Sequence, residues 1–484
     1  MSIRTSLAWS YGAHLLVFAV TFGSTIIMSR LLTPRDLGVF GVGMAISGIL
    51  TTFSYFGVTN YLIRDRDLSD ETIATSFTIN GILCLIVGSL LLLAGTVGHS
   101  LFLDPAIPRV MQWLSLVPLI GIAEFLPATL LTRDMRFSVT STIQFGKALA
   151  NAAVMTVAAL FGWSYLSPAL GAIAGAIFGA IGYSLLGRSH VSFRLSFKGG
   201  WAIVVFAVQM ISGGGVAVLA ARFAELLVAQ QLGLIALGLY TRASGLAAMV
   251  WDGAYGLSTR VIYVQMATEL REQGSLKATF LRATKLLTAI MWPIMAGIAV
   301  LAGPIIHLLY GARWDGAALP LSLLMVGQFI AIGYGMSWEL CVLTGRTGWQ
   351  ARTELLRAVV GLAAFAVGVL FNLSAAAAAR IIEAVLGYLV YRPKMADMAG
   401  APPAEVSAAY NGNLFLAACA VGPAFLLMSL SRWSPATSIT EVTFAIVVGV
   451  AGWIAMLHLI RHPLLDEAHQ LLGGQTVQRS PNKD

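Results

Sequence analysis

A chain of 484 residues that is 58% hydrophobic but only 11% Asp, Glu, Lys and Arg carries less than half the roughly 25% charge of a soluble domain. Its mean hydropathy of +0.82 therefore excludes a water-soluble fold, and its long apolar runs disfavour a β-barrel in favour of helices that satisfy their own backbone hydrogen bonds. The net charge of +8 reads as membrane topology rather than nucleic-acid binding, because it is unevenly placed along the spans.

Most cations cluster on one side of the spans: Arg4, Arg64, Arg66, Arg133, Arg136, Arg188, Arg194, Lys198 and the group from Arg260 to Lys285. The other side holds Arg30, Arg35, Arg109, Arg313 and Arg432. The expected class is an all-α polytopic protein of the bacterial inner membrane with both termini cytoplasmic, hence an even number of spans. About fourteen apolar segments of roughly 20 residues fit the chain. The gaps between them are too short for a soluble catalytic domain, and no Walker glycine loop is present. Cys84, Cys341 and Cys419 are isolated in apolar stretches, offering neither disulfide nor metal spacing. No cofactor and no catalytic constellation is expected.

In chain order, span 1 covers residues 6–32 and is read as retained rather than as a signal peptide. The outer turn Thr33-Pro34-Arg35 leads to span 2 (37–63), and the charged turn 64–71 to span 3, ending near 98. Span 4 (109–131), the turn TRDMRF (132–137) and span 5, ending near 163, precede span 6 (168–186). There Gly171, Gly175 and Gly179 recur every fourth residue, which lets a neighbouring helix approach closely. The polar linker 188–200 closes an N-terminal six-helix lobe, 1–199.

Beyond this linker the chain echoes its own beginning. SRLLTPRDLGVF (29–40) is matched by AQQLGLIALGLY (229–240), with Leu37, Gly38 and Phe40 facing Leu237, Gly238 and Tyr240. Such a repeat of six spans is common among secondary transporters. Spans 7 and 8 (206–262), a polar segment to 285, span 9 with Pro293, the turn LYGARW (309–314), span 10 (320–343), span 11 to 371 and span 12 to 391 make a second lobe, 200–397. The remainder, 398–484, reads as two extra helices and a cytoplasmic tail.

Charges inside spans are the informative residues, since each costs about 2.5–3.5 kcal/mol at a helix centre and so faces protein or water. Gln144, Lys147 and Asn151 share one face of span 5. Arg222 with Glu225 and Arg380 with Glu383 are i, i+3 pairs. Arg242, Asp252, Glu124, Gln328 and Glu339 stand in other spans, and Arg30 near the outer end of span 1. One reading is a hydrated cavity in which Arg242, Lys147, Arg222, Arg380 and Arg30 receive an anionic headgroup. Asp252, Glu124, Glu339 and Glu383 are then the ion-coupling candidates. The other is a set of buried intrahelical ion pairs with snorkelling ends. His14, the one His deep in a span, reads as a packing residue.

The stretches SRLLTPRDLGVF, TRDMRF, LGLYTRASGL, LYGARW and LTGR, spread over residues 29–346, resemble the Wzx-like polysaccharide transporters and lipid-linked oligosaccharide flippases. These belong to the multidrug/oligosaccharidyl-lipid/polysaccharide exporter superfamily. The resemblance implies fourteen spans as two six-helix lobes plus two helices. It also implies alternating-access movement of undecaprenyl-diphosphate-linked oligosaccharide to the periplasmic leaflet, for cell-surface or exopolysaccharide synthesis. Membrane lipids and a polysaccharide polymerase or export machinery are the implied partners. Where many relatives carry an Asp-Arg pair and a Pro, this chain has Ala224-Glu225 and Leu234, so contacts from that part do not transfer; Arg242, within YTRA, does. Two other classes stand beside it. A small-molecule or multidrug exporter of the same superfamily would have a more aromatic, apolar cavity. A membrane glycan ligase or polymerase would need a large external catalytic loop.

Overall fold

The computed structural model describes residues 3–64, 68–98, 102, 104–187, 194–210 and 215–472. Parts of three polar segments lie outside the described residues: 65–67 with Arg66, 188–193 with Arg188, and 473–484 of the tail. The described chain is helical: α1 (Ile3–Leu31), α2 (Pro34–Arg64), α3 (Asp70–Val97), α4 (Ala106–Leu114), α5 (Leu116–Arg133), α6 (Phe137–Leu160), α7 (Ser167–Leu186), α8 (Gly200–Met210) and α9 (Val216–Gln273). It continues through α10 (Lys277–Val300), α11 (Ala302–Tyr310), α12 (Ala318–Ile332), α13 (Ser337–Leu343), α14 (Thr347–Val369), α15 (Leu373–Ala399), α16 (Pro403–Leu430), α17 (Ile439–Leu459) and α18 (Pro463–Leu472).

Twelve helical stretches among the described residues are long and apolar enough to cross a membrane, which makes this a multi-pass membrane protein. The sequence suggests about fourteen. The difference has two physical sources. Expected spans 7 and 8 run together as α9, divided only at Gly233, where φ 85° and ψ 175° leave the helix in a region open to glycine alone. Expected span 11 is α14, where Arg352, Glu354 and Arg357 dilute the apolar run. Expected span 10 is broken between α12 and α13, at residues 333–336.

The chain divides into two compact units. The first takes Met1–Thr241, Leu309–Trp314 and Glu354–Leu373; the second takes Arg242–Leu308, Asp315–Thr353 and Ser374–Asp484. In the first unit α6 packs along both α7 and α1, while α2 and α3 close on α4, α5 and α8. Val58, Leu62, Phe77, Phe125, Leu126, Leu130 and Ile203 form one buried cluster there. In the second unit α10 lies against α12, α16 and α18, and α16 against α17.

Helix ends and breaks show how the polar backbone groups left over there are satisfied. Thr33 Oγ1 accepts from Asp36 N at 3.2 Å, and Thr33 N donates to Asp36 Oδ2 at 3.0 Å, a reciprocal capping box with Pro34 in the first turn of α2. Arg133 Nη1 donates to Leu62 O at 2.7 Å, near the C-terminus of α2. Pro293 has no N–H for the Ala289 carbonyl one turn earlier, and Trp453 Nε1 of α17 donates to that oxygen at 3.1 Å. The carbonyls freed between α12 and α13 are met by two tyrosines: Tyr410 donates to Gly333 O and Tyr255 to Gly335 O.

Within the first unit, the beginning of α2 and the second arm of α9 touch reciprocally. A Cβ built on Gly38 would stand 1.9 Å from Leu234 O, and one on Gly238 would stand 1.9 Å from Pro34 O. Each glycine thus meets the carbonyl four residues before the other glycine, the self-complementary pattern of a two-fold contact. The direction a Cβ would take is held by a hydrogen in glycine, so each Cα–H points at the opposite carbonyl. Gly41 continues the crossing against Leu237 and Thr241. The residues that meet are those aligned by the sequence repeat.

Candidate functional site: charged side chains within the spans

The polar face of α6 is turned towards α7. Gln144 Nε2 donates to the Tyr183 hydroxyl at 3.1 Å, and Lys147 Nζ forms an ion pair with Glu124 of α5. Asn151 lies over Gly171 and Gly175, and a Cβ on Gly179 would stand 2.6 Å from Glu124 Oε2 and 2.8 Å from Lys147 Cδ. The glycine row that lets α6 and α7 approach also opens the slot holding the ion pair. Both side chains keep partial exposure, 24% for Lys147 and 15% for Glu124. The sequence shows no partner for Lys147 because Glu124 is 23 residues away on another helix.

Arg222 and Arg380 carry their own counter-ions. Arg222 Nη1 lies 2.9 Å from Glu225 Oε2, and Arg380 Nη1 lies 2.7 Å from Glu383 Oε2. The Arg222 guanidinium passes over Gly48 of α2, where a Cβ would stand 2.8 Å from Nε. A third pair, Glu354 with Arg357 Nη2 at 2.6 Å, is absent from the sequence-based candidates, although it has the same i, i+3 spacing. All three pairs are partly exposed, and each lets its arginine sit within a span beside a counter-ion on the same helix.

Arg30 donates from Nε to Leu309 O at 3.2 Å, near the end of α11, and its guanidinium covers Gly311, whose φ of 94° turns the chain there. Trp314, fully buried, donates from Nε1 to Ser29 O at 2.7 Å. The stretches SRLLTPRDLGVF and LYGARW are therefore locked to each other. Arg242 is half-buried on the second arm of α9; Asp252, further along that helix, is exposed. Glu339 is buried in α13, and its Oε2 has no hydrogen-bond partner among the described residues. His14 is exposed on α1 rather than packed inside.

The candidate cations and carboxylates thus fall into three sets. Lys147 with Glu124 and Arg380 with Glu383 are brought together, and Arg222 meets Glu225. Arg30 serves a helix end. Arg242, Asp252 and Glu339 belong to the second unit. Sequence reasoning missed Tyr255 and Tyr410, the donors at the α12–α13 break; the Gly-Tyr-Gly run at 333–335 is the signal that marks it.

A family profile described as polysaccharide biosynthesis protein matches residues 27–319. The chain belongs to that family. It is 21% identical over 349 residues to the succinoglycan biosynthesis transport protein ExoT of Rhizobium meliloti, covering 68% of this chain and 67% of that one. It is also 21% identical over 343 residues to the lipopolysaccharide biosynthesis protein WzxC of Escherichia coli, covering 69% of each. Among solved structures the fold is similar to the lipid II flippase MurJ in an inward closed conformation, with a TM-score of 0.69 and 11% identity over 94% of this chain and 99% of that one. A multidrug resistance MATE family transporter in an inward-facing conformation aligns with a TM-score of 0.59 and 13% identity, covering 79% of this chain and 94% of that one. The all-helical, multi-pass class and the membership read from the motifs both hold. The motifs are mostly caps and turns: Thr33 and Asp36, Arg133, Arg30 and Trp314 each satisfy backbone, so shared fold is what they report.

Proposed function

We propose that this polysaccharide biosynthesis family member moves an undecaprenyl-diphosphate-linked oligosaccharide from the cytoplasmic to the periplasmic leaflet of the bacterial inner membrane. The observation that carries this reading is a family match over residues 27–319 in a multi-pass chain that keeps Lys and Arg inside its spans. A diphosphate crossing lipid must stay paired with cations or hydrated, and intramembrane Lys and Arg meet that need. Lys147, whose ion pair with Glu124 joins two helices, and Arg242 are each proposed as headgroup cations, while Arg222 and Arg380 pair within one helix and Arg30 serves the end of α11. Asp252 and Glu339 are the carboxylates proposed for ion coupling, as each stands apart from the ion pairs described above. The reading is of fourteen spans, counting the two arms of α9 separately and adding α14. They form lobes 1–199 and 200–397, with 398–484 appended and a polysaccharide polymerase or export machinery receiving the product.

The test is reconstitution of the purified protein in liposomes with a labelled polyprenyl-diphosphate oligosaccharide. Protein-dependent appearance of the glycan on the opposite leaflet is expected. Transport of a cationic drug with no movement of the lipid would instead establish the small-molecule exporter. Topology gives an independent check: reporters fused after Arg35, Arg109 and Arg313 should read as periplasmic, and those after Arg136 and Lys277 as cytoplasmic. A periplasmic signal at either terminus overturns the orientation.

A further inference from the structure

The slot between α5, α6 and α7 holds more donors than its one carboxylate uses. Lys147 offers three N–H groups, Gln144 and Asn151 each offer an amide NH₂, and Tyr183 carries a hydroxyl. Glu124 is the anion there, paired with Lys147 Nζ. Among the described residues Gln144 donates to the Tyr183 oxygen alone, at 3.1 Å. Gly179 keeps the space open beside the Glu124 carboxylate and the Lys147 stem. This is an anion site already filled by a side chain. The other intramembrane pairs, Arg222 with Glu225 and Arg380 with Glu383, lie one turn apart on a single helix. The Lys147 pair instead joins two helices, so a shift of one helix against the other is able to open it.

We infer that Glu124 is a specificity-determining residue: an internal counter-anion that yields Lys147 to a diphosphate but not to the phosphodiesters of bulk lipid. The inference rests on the transport reading above. A carboxylate and a phosphodiester each bring about one negative charge, so exchanging one for the other gains little. A diphosphate brings more charge and more acceptor oxygens to the unused donors around Lys147. The occupied slot thereby keeps Lys147 from being captured by the phospholipids that surround the protein in large excess. Without Glu124, Lys147 would bind any phosphate headgroup that reached it.

The experiment measures binding of undecaprenyl diphosphate and of phosphatidylglycerol, a phosphodiester lipid, to the purified full-length protein in phosphate-free detergent. The wild type should prefer the diphosphate. Glu124→Gln should bind both lipids more tightly, the phosphodiester most, so that the preference falls at least about tenfold. Glu124→Asp, which keeps the charge on a shorter arm, should fall between them. The double variant Glu124→Gln/Lys147→Gln, which leaves no stranded charge, should bind diphosphate more weakly than the wild type and lose the preference. An unchanged preference in folded Glu124→Gln, or weaker binding of both lipids, overturns the inference. If Glu124→Gln does not accumulate, the double variant decides, and wild-type diphosphate affinity with an intact preference overturns it. A wild type that binds neither lipid would instead refute the transport reading itself.

Discussion

Alanine at Gly38 or at Gly238 is expected to lower the thermal stability of the purified protein sharply, and by similar amounts. At each position the added Cβ would stand 1.9 Å from a backbone carbonyl oxygen of the opposing helix. No rotamer change can move a carbonyl aside, so the helices themselves must part. Overpacking of this kind costs about 1–3 kcal/mol, and a backbone obstacle places both variants at the upper end. Valine should cost more than alanine. The reciprocal geometry adds a sharper expectation: the double alanine variant should lose less than the sum of the singles, because helices parted by the first methyl already make room for the second. Gly245→Ala is the control, since a Cβ there meets nothing within 4 Å and helix propensity alone favours alanine by up to about 1 kcal/mol. If Gly38→Ala and Gly238→Ala melt like Gly245→Ala, the crossing is not as described.

Arg242→Gln should abolish export of the lipid-linked glycan while leaving the protein at wild-type abundance in the membrane. Losing a charge-assisted hydrogen bond to the diphosphate costs roughly 1.5–3 kcal/mol. That weakens binding about tenfold to a hundredfold at 1.4 kcal/mol per decade. Arg242→Lys should keep part of the activity, since a charge survives although the planar two-pronged fork does not. Complementation of a strain lacking its own flippase, read beside lipid binding to the purified variants, checks both. Full complementation by the Gln variant would remove Arg242 from the headgroup site. The contrast with Arg222→Gln is informative: Arg222 already pairs with Glu225 on its own helix, so its loss should change lipid binding less than the loss of Arg242.

The features legible in the sequence were those encoded within one helix or one turn. The i, i+3 spacing of Arg222 with Glu225 and of Arg380 with Glu383 is local, and the structure pairs both. The 200-residue echo between Leu37-Gly38 and Leu237-Gly238 is a comparison of short words, and it found the two glycines of the helix crossing. Long-range partners left no such mark. Glu124 meets Lys147 from another span, and Arg30 reaches Leu309 across 279 positions, so an apparently unpartnered cation in the sequence was a paired one in the fold. Continuity of helices was also misjudged: spans 7 and 8 are expected as separate helices, yet Gly233 alone divides α9. Residues 333–336 interrupt an apolar run whose hydropathy never falls, because Tyr255 and Tyr410 supply the hydrogen bonds that polar loop residues would otherwise make.

The make-up of the first unit has a consequence for biosynthesis. Its members include Leu309–Trp314 and Glu354–Leu373, and the buried Trp314 closes over Ser29. A ribosome that has inserted the first 241 residues has therefore delivered an incomplete unit. The carbonyl of Ser29 and the side chain of Tyr240, which rests edge-on against Phe365 at 5.5 Å, must wait for segments translated much later. Early helices inserted one by one would stay loosely associated until those segments arrive. Stalling or truncation before residue 373 should then leave a nascent chain open to membrane proteases, even though all of its N-terminal spans are already in place.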